Sequence, residues 1–157
     1  MLDLICWLSD KKVMRVQAVG TGLATRHTQF QREDLVSTLL ELEDGSVGKV
    51  SANFASMVPH HHKLCVYGTK GTFEQSHLGA AYFWNRDPQA QHEQVSSAYP
   101  GTAKGDMLSS LVKSILDGTT PDVTAQEVID VMSVSLAIEK SLQTQKPVNV
   151  NYQTINY

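Results

Sequence analysis

The 157-residue chain has only two cysteines, Cys6 and Cys65. That excludes a disulfide framework, and because both stand in apolar segments they read as reduced, buried thiols. Basic charge is not in excess. Thirteen Lys and Arg against sixteen Asp and Glu give a net charge of −3 and a pI near 6.0, so no cationic field invites nucleic acid or an anionic membrane. No apolar run approaches the ~18 residues of a membrane span. The opening "MLDLICWLSD" is no signal peptide, since Asp3 stands where a basic segment belongs and no small-residue cleavage site follows. These absences predict a cytoplasmic protein with no nucleic-acid and no membrane partner. What is present, 41% hydrophobic and 18% charged residues, suits one lightly charged globular domain with a real core.

The first ten residues pose a question of their own. Leu2, Leu4, Ile5, Trp7 and Leu8 make an apolar cluster with helical spacing. No Ser, Thr, Asp or Asn precedes them to accept from the first free N–H groups. The expectation is a helix over residues 1–9 that is entered part-way along.

Beyond it the chain reads in two parts. From Val13 to about residue 97 the period is that of strands and turns. "VMRVQAV" alternates, and "DLVSTLLELEDGSVGKVSANFASM" is a hairpin with a two-residue turn at Asp44-Gly45. "HKLCVYGTKGTFEQSHL" is a second hairpin, turning at Thr69-Lys70, and short strands are expected at "AAYFWN" and "EQVSSAY". After Pro100 the period lengthens to that of helices. Met107, Leu108, Leu111, Val112, Ile115 and Leu116 form a stripe on a helix over about 104–117, stopped by Asp117-Gly118. Thr124 and Glu127 make a capping box for a longer helix over 124–143, and a terminal strand follows over about 147–152.

Strands followed by helices predict an α+β fold: a largely antiparallel, open sheet with helices on one face. Parity sorts the side chains. Met14, Val16, Ala18, Val36, Leu40, Leu42, Val50, Phe54, Leu64, Val66 and Phe73 belong under the helices. Arg15, Gln17, Leu35, Ser37, Leu39, Lys49, Ser51, Asn53, Cys65, Tyr67 and Glu74 belong to the other face. That mixture is too apolar for water and too polar for a core, which suits a protein–protein interface. Leu35, Leu39, Cys65 and Tyr67 are its expected apolar members, packing one copy on another.

Several motifs fall short of chemistry. "AVGTGLAT" offers Gly20 and Gly22 after a strand but lacks the third glycine and the helix of a dinucleotide loop, so it reads as a strand-end turn. "GTKG" at Gly68–Gly71 joins two strands and opens no helix, so it cradles no phosphate. "PHHHKLC" carries good metal ligands. In an extended segment, however, His60 and His62 share one face while His61 and Cys65 share the other, and no spacing supplies further ligands. We expect no metal there, but a rim of imidazoles that either hydrogen-bonds a polyhydroxyl ligand or is simply solvated. Lys104 and Asp106 read as helix-entry charges. No catalytic Ser-His-Asp order or carboxylate pair is visible.

The order "LDLICWL", "AVGTG", "DLVSTLLELEDGSVGKVSANF", "HKLCVYGTKGTFE" and "TAQEVIDVMSVSLAIEKSLQTQKPVNV" resembles the C-terminal domain of the glucose–fructose oxidoreductase / inositol dehydrogenase / rhizopine catabolism (Gfo/Idh/MocA) family, over nearly the whole chain. The resemblance implies a partner domain of Rossmann type that binds NAD or NADP. It implies that the present domain supplies the substrate side and the oligomer contact. The family's catalytic lysine lies in the other domain. A D-x-x-x-H-x-x-D signature opens this one, and Asp3 matches its last aspartate, which puts the catalytic histidine immediately before Met1.

By that resemblance this chain holds no catalytic and no cofactor-binding residue. It is the substrate-side and oligomerisation domain of an NAD(P)-dependent sugar- or cyclitol-type oxidoreductase, inactive alone. The homo-oligomer would form through the open sheet face. A small polyhydroxyl substrate would meet His60 and His62 in the complete enzyme. The alternatives are a free-standing oligomerisation or small-ligand module, and an unrelated α+β binding domain.

Overall fold

The structure, a computed structural model, describes residues 1–96 and 105–155. Lys104 and the side chain of Asp106 lie outside what is described. The chain divides into two compact units, Met1–Ser56 with Lys104–Tyr157, and Met57–Ala103.

The first unit holds α1 (Leu2–Ser9), β1 (Val13–Thr21), β2 (Leu35–Leu42), β3 (Val47–Asn53), α2 (Asp106–Asp117), α3 (Ala125–Thr144) and β8 (Val148–Asn149). Its sheet runs β3-β2-β1-β8, with every pairing antiparallel. The hairpin at Asp44-Gly45 forms, but with a longer loop than a two-residue turn. The Leu42 N–H donates to the Ser46 carbonyl and the Gly45 N–H to Leu42, so Glu43, Asp44 and Gly45 span the gap with Gly45 at φ +84°. Only glycine takes that φ without strain. The Asp44 carboxylate accepts from both the amide and the hydroxyl of Ser46, which holds its pKa below the usual carboxylate range.

Helix α3 lies on the inner face of this sheet. Val134 and Ala137 join Val13, Val16, Leu40 and Leu42 in the core, with Leu2, Ile5 and Cys6 of α1 packed against it. Burial pushes the Cys6 thiol pKa up, and the charges of Asp3 and Asp130 push it further. One polar side chain is buried completely at the centre. Ser141 accepts from the Ala18 amide (3.0 Å) and donates to the Lys146 carbonyl (2.7 Å), pinning helix, strand and exit loop together. The capping box forms as expected: Glu127 accepts from the Thr124 amide, and Thr124 Oγ1 accepts from the Glu127 amide.

The second unit holds β4 (Leu64–Tyr67), β5 (Thr72–Ser76), β6 (Gly79–Phe83) and β7 (Glu93–Val95), an antiparallel sheet in sequence order. The α+β arrangement with open antiparallel sheets therefore stands, but the strands divide between two sheets where one was expected. Leu64, Val66 and Phe73 accordingly share no sheet with Val16 and Leu40.

Three further differences are local. A bulge between Val13 and Arg15 inserts Met14 as an extra residue, so Val13 points into the core and Met14 is half exposed. Phe54 follows the end of β3 and is exposed, its ring 6.1 Å from that of Phe30. On α2 the whole apolar stripe from Met107 to Leu116 is exposed, and Ser114 is the buried residue. Helical period identifies a face that avoids water; it does not say what covers that face.

Candidate functional site

The imidazoles precede β4 rather than lying in it, since the strand begins at Leu64. The expected sharing of a face by His60 and His62 is seen directly: their rings meet edge to face at 5.4 Å. His61 turns the other way and packs against His77, which follows β5, with ring centroids 5.1 Å apart. The His61 Nδ1 lies 2.9 Å from the Pro59 carbonyl, and Gln75 of β5 donates to the His62 carbonyl at 3.1 Å. The register Leu64↔Gln75 explains that bond, because it brings Gln75 beside the strand entrance. His60 and His62 are exposed and His61 is partly buried. A neutral imidazole offers one donor and one acceptor. Among the described residues no group of three or more His, Cys, Asp or Glu side chains is placed to hold a metal ion.

Asp3 sits in the first turn of α1, exposed, on the helix whose Ile5 packs over the core. Of the glycines in "AVGTG", Gly20 serves packing, while a Cβ on Gly22 would meet only the Arg32 carbonyl at 3.4 Å. A Cβ on Gly20 would come within 2.8 Å of the Glu33 side chain and 3.2 Å of Leu142, so the strand needs glycine for close approach. Gly68–Gly71 closes the β4–β5 hairpin through the Gly68 amide and the Gly71 carbonyl.

The four expected interface residues fall in two groups. Leu35 and Leu39 lie on the outer face of the first sheet, opposite Asn53 and Lys49, with Leu35 half-buried and Leu39 50% exposed. Cys65 and Tyr67 share one face of the second sheet, where Cys65 raises the Tyr67 hydroxyl pKa. No single sheet carries all four. Val19 and Val47 also stand exposed on the outer face of the first sheet, across from Ser37 and Glu41. Continuing the Arg15, Gln17 parity by one step would have found Val19. Their polar neighbours are paired: Arg15 forks onto Glu41 at 2.6 and 3.0 Å, and the Ser37 and Ser51 hydroxyls meet at 2.8 Å.

No helix among the described residues is long and apolar enough to cross a membrane.

The comparisons bear on this geometry. Residues 1–74 match the model of the GFO/IDH/MocA C-terminal domain. No curated protein matches the chain in sequence. Among solved structures, UDP-N-acetylglucosamine 3-dehydrogenase from Acidithiobacillus ferrooxidans is 16% identical with a TM-score of 0.72, covering 91% of this chain and 44% of its own. The aldose-aldose oxidoreductase of Caulobacter crescentus, complexed with glycerol, is 19% identical with a TM-score of 0.72, covering 94% and 44%. A levoglucosan dehydrogenase in complex with NADH is 16% identical with a TM-score of 0.74, covering 97% and 48%. At such identities the likeness shows a shared fold, and the chain spans less than half the length of each of these structures. The match over residues 1–74 is thus to a GFO/IDH/MocA C-terminal domain, and nearly the whole chain shares the fold of one part of these solved structures.

Proposed function

We propose that this chain is the substrate-side domain of an NAD(P)-dependent oxidoreductase acting on a sugar or cyclitol. The observation that carries the reading is the pairing of the family match over residues 1–74 with a fold that corresponds to less than half of three sugar-acting or sugar-oxidising relatives, one of them bound to NADH. The chemistry of hydride transfer needs a nicotinamide, and the turns at Gly20–Gly22 and Gly68–Gly71 end or join strands instead of opening a helix toward a pyrophosphate. In this reading the cofactor is held by a nucleotide-binding partner domain, and this domain contributes surface and polar contacts for the substrate.

Within that reading His60 and His62 are substrate contacts. Their exposed, adjacent rings suit hydroxyl groups, which can both donate to and accept from imidazole. The test is kinetic, in the polypeptide that joins this domain to its nucleotide-binding domain. Replacing His60 and His62 by Ala is expected to raise KM or lower kcat by about tenfold, the scale of one or two lost polar contacts. Kinetics unchanged by both substitutions would return the imidazoles to a solvated rim.

The outer sheet faces make the second part of the proposal. Leu39, Val19 and Val47 on the first sheet and Tyr67 on the second leave apolar area in water between paired polar side chains. A second copy of the chain covers such area, on either sheet taken by itself, by face-to-face packing about a two-fold axis.

A further inference from the structure

The second sheet carries a row of aromatic rings that the proposed function does not use. Val66, Phe73, Tyr82 and Glu93 are register partners and so share one face. Phe73 and Tyr82 touch with centroids 4.9 Å apart. Trp84 continues the row, its indole nearly parallel to the Tyr82 ring, at 5.4 Å and 12°.

The indole is fixed at both ends. Gly71 and Trp84 each sit one step beyond the register pair Thr72↔Phe83, which places them across from one another. A Cβ at Gly71 would come within 2.8 Å of Trp84 Cε3 and 3.0 Å of Cζ3, so the benzene half of the indole rests on bare glycine backbone. At the other end Trp84 Nε1 donates to Glu93 Oε2 on β7 at 3.1 Å. One edge is thereby tethered, while 57% of Trp84 remains exposed. A core tryptophan hides its ring face. This one is held by its partners and still open to solvent.

We propose that Trp84, with Tyr82 and Glu93, forms a binding platform for a carbohydrate ring. A pyranose presents a face of C–H groups, which the electron-rich face of an indole attracts, and a rim of hydroxyls, which a carboxylate accepts. A nucleotide fits less well, because the group that the indole N–H touches is a carboxylate, which repels phosphate. The inference stands on the geometry of the second sheet alone and would hold for a chain with no part in catalysis.

The test uses the full 157-residue chain carrying Trp7→Phe. Trp7 is 75% exposed, and its replacement leaves Trp84 as the sole indole fluorophore. Titration with maltose is expected to change the Trp84 emission saturably, while AMP leaves it unchanged. Gly71→Val, which pushes the indole off its seat, and Glu93→Ala, which frees its edge, should each weaken maltose binding by about tenfold. Circular dichroism checks that each variant is folded. If Gly71→Val does not fold, the exposed Glu93 variant carries the comparison. Saturation-transfer NMR on maltose, which needs no fluorophore, should show ring contact with the wild-type chain and lose it in Trp84→Ala. A folded Trp7→Phe chain without a saturable response to maltose would overturn the platform. So would saturation by AMP alone, or maltose binding that survives Trp84→Ala.

Discussion

Tyr152 holds both backbone groups of Val13. Its hydroxyl accepts from the Val13 amide at 3.0 Å and donates to the Val13 carbonyl at 2.9 Å, at the point where the β1 bulge interrupts regular pairing. The Tyr152 pKa is pushed up to about 12, chiefly by burial. The neutral hydroxyl is therefore favoured in the folded chain. Stability from this group is complete below the ordinary tyrosine pKa near ~10 and is lost as pH rises toward the folded value. Urea unfolding should show a decline in stability between about pH 10 and 12 that Tyr152→Phe lacks. At neutral pH the same substitution should cost about 1–3 kcal/mol by leaving the Val13 groups unpaired.

Ser141→Ala is expected to cost more than an ordinary small-residue change in a helix. It strands the Ala18 amide and the Lys146 carbonyl inside the first unit. A loss of about 2–4 kcal/mol in urea unfolding is expected for two such groups. A loss below ~0.5 kcal/mol, the range of neutral surface substitutions, would mean that water replaces the hydroxyl.

The end of α3 offers the opposite sign. Gln145 adopts φ +55° at the C-cap, its amide donating to the Ser141 carbonyl. Glycine takes this conformation without the steric cost that a side chain incurs. Gln145→Gly should raise stability by about 0.5–1 kcal/mol, read as a higher midpoint of thermal unfolding.

The proposed self-association is tested by sedimentation. Arg at both Leu39 and Tyr67, which blocks the proposed face of each sheet, should convert a dimer to a folded monomer, since both residues are exposed and touch no core. A stable dimer buries about 1,600 Å² in total. A wild-type chain that sediments as a monomer at tens of micromolar would contradict the interface.

Much of this fold is legible in the sequence wherever the signal is local. Thr124 with Glu127 announces α3, and Asp44-Gly45 announces the first hairpin, because each pattern satisfies backbone groups within a few residues. The division into two sheets is not local. Alternation says which side chains share a face of a strand; it does not say which strands pair, so it groups Leu64 with Val16 although they stand in different sheets. The bulge at Met14 defeats parity for the same reason, since one inserted residue inverts every side chain before it. At the candidate site the closeness of His60 and His62 follows from their spacing. The seating of Trp84 on Gly71 does not, because it depends on the register of β5 against β6.

The central claim is that this domain is one half of a nicotinamide-dependent oxidoreductase, and the DNA immediately upstream of the Met1 codon tests it most directly. The account predicts a histidine codon in frame directly before Met1, placing Asp3 at the end of D-x-x-x-H-x-x-D, and beyond it a region encoding a Rossmann domain with its Glu-Lys-Pro motif. An in-frame stop codon directly before Met1, with no histidine codon and no such region in any frame, would contradict it.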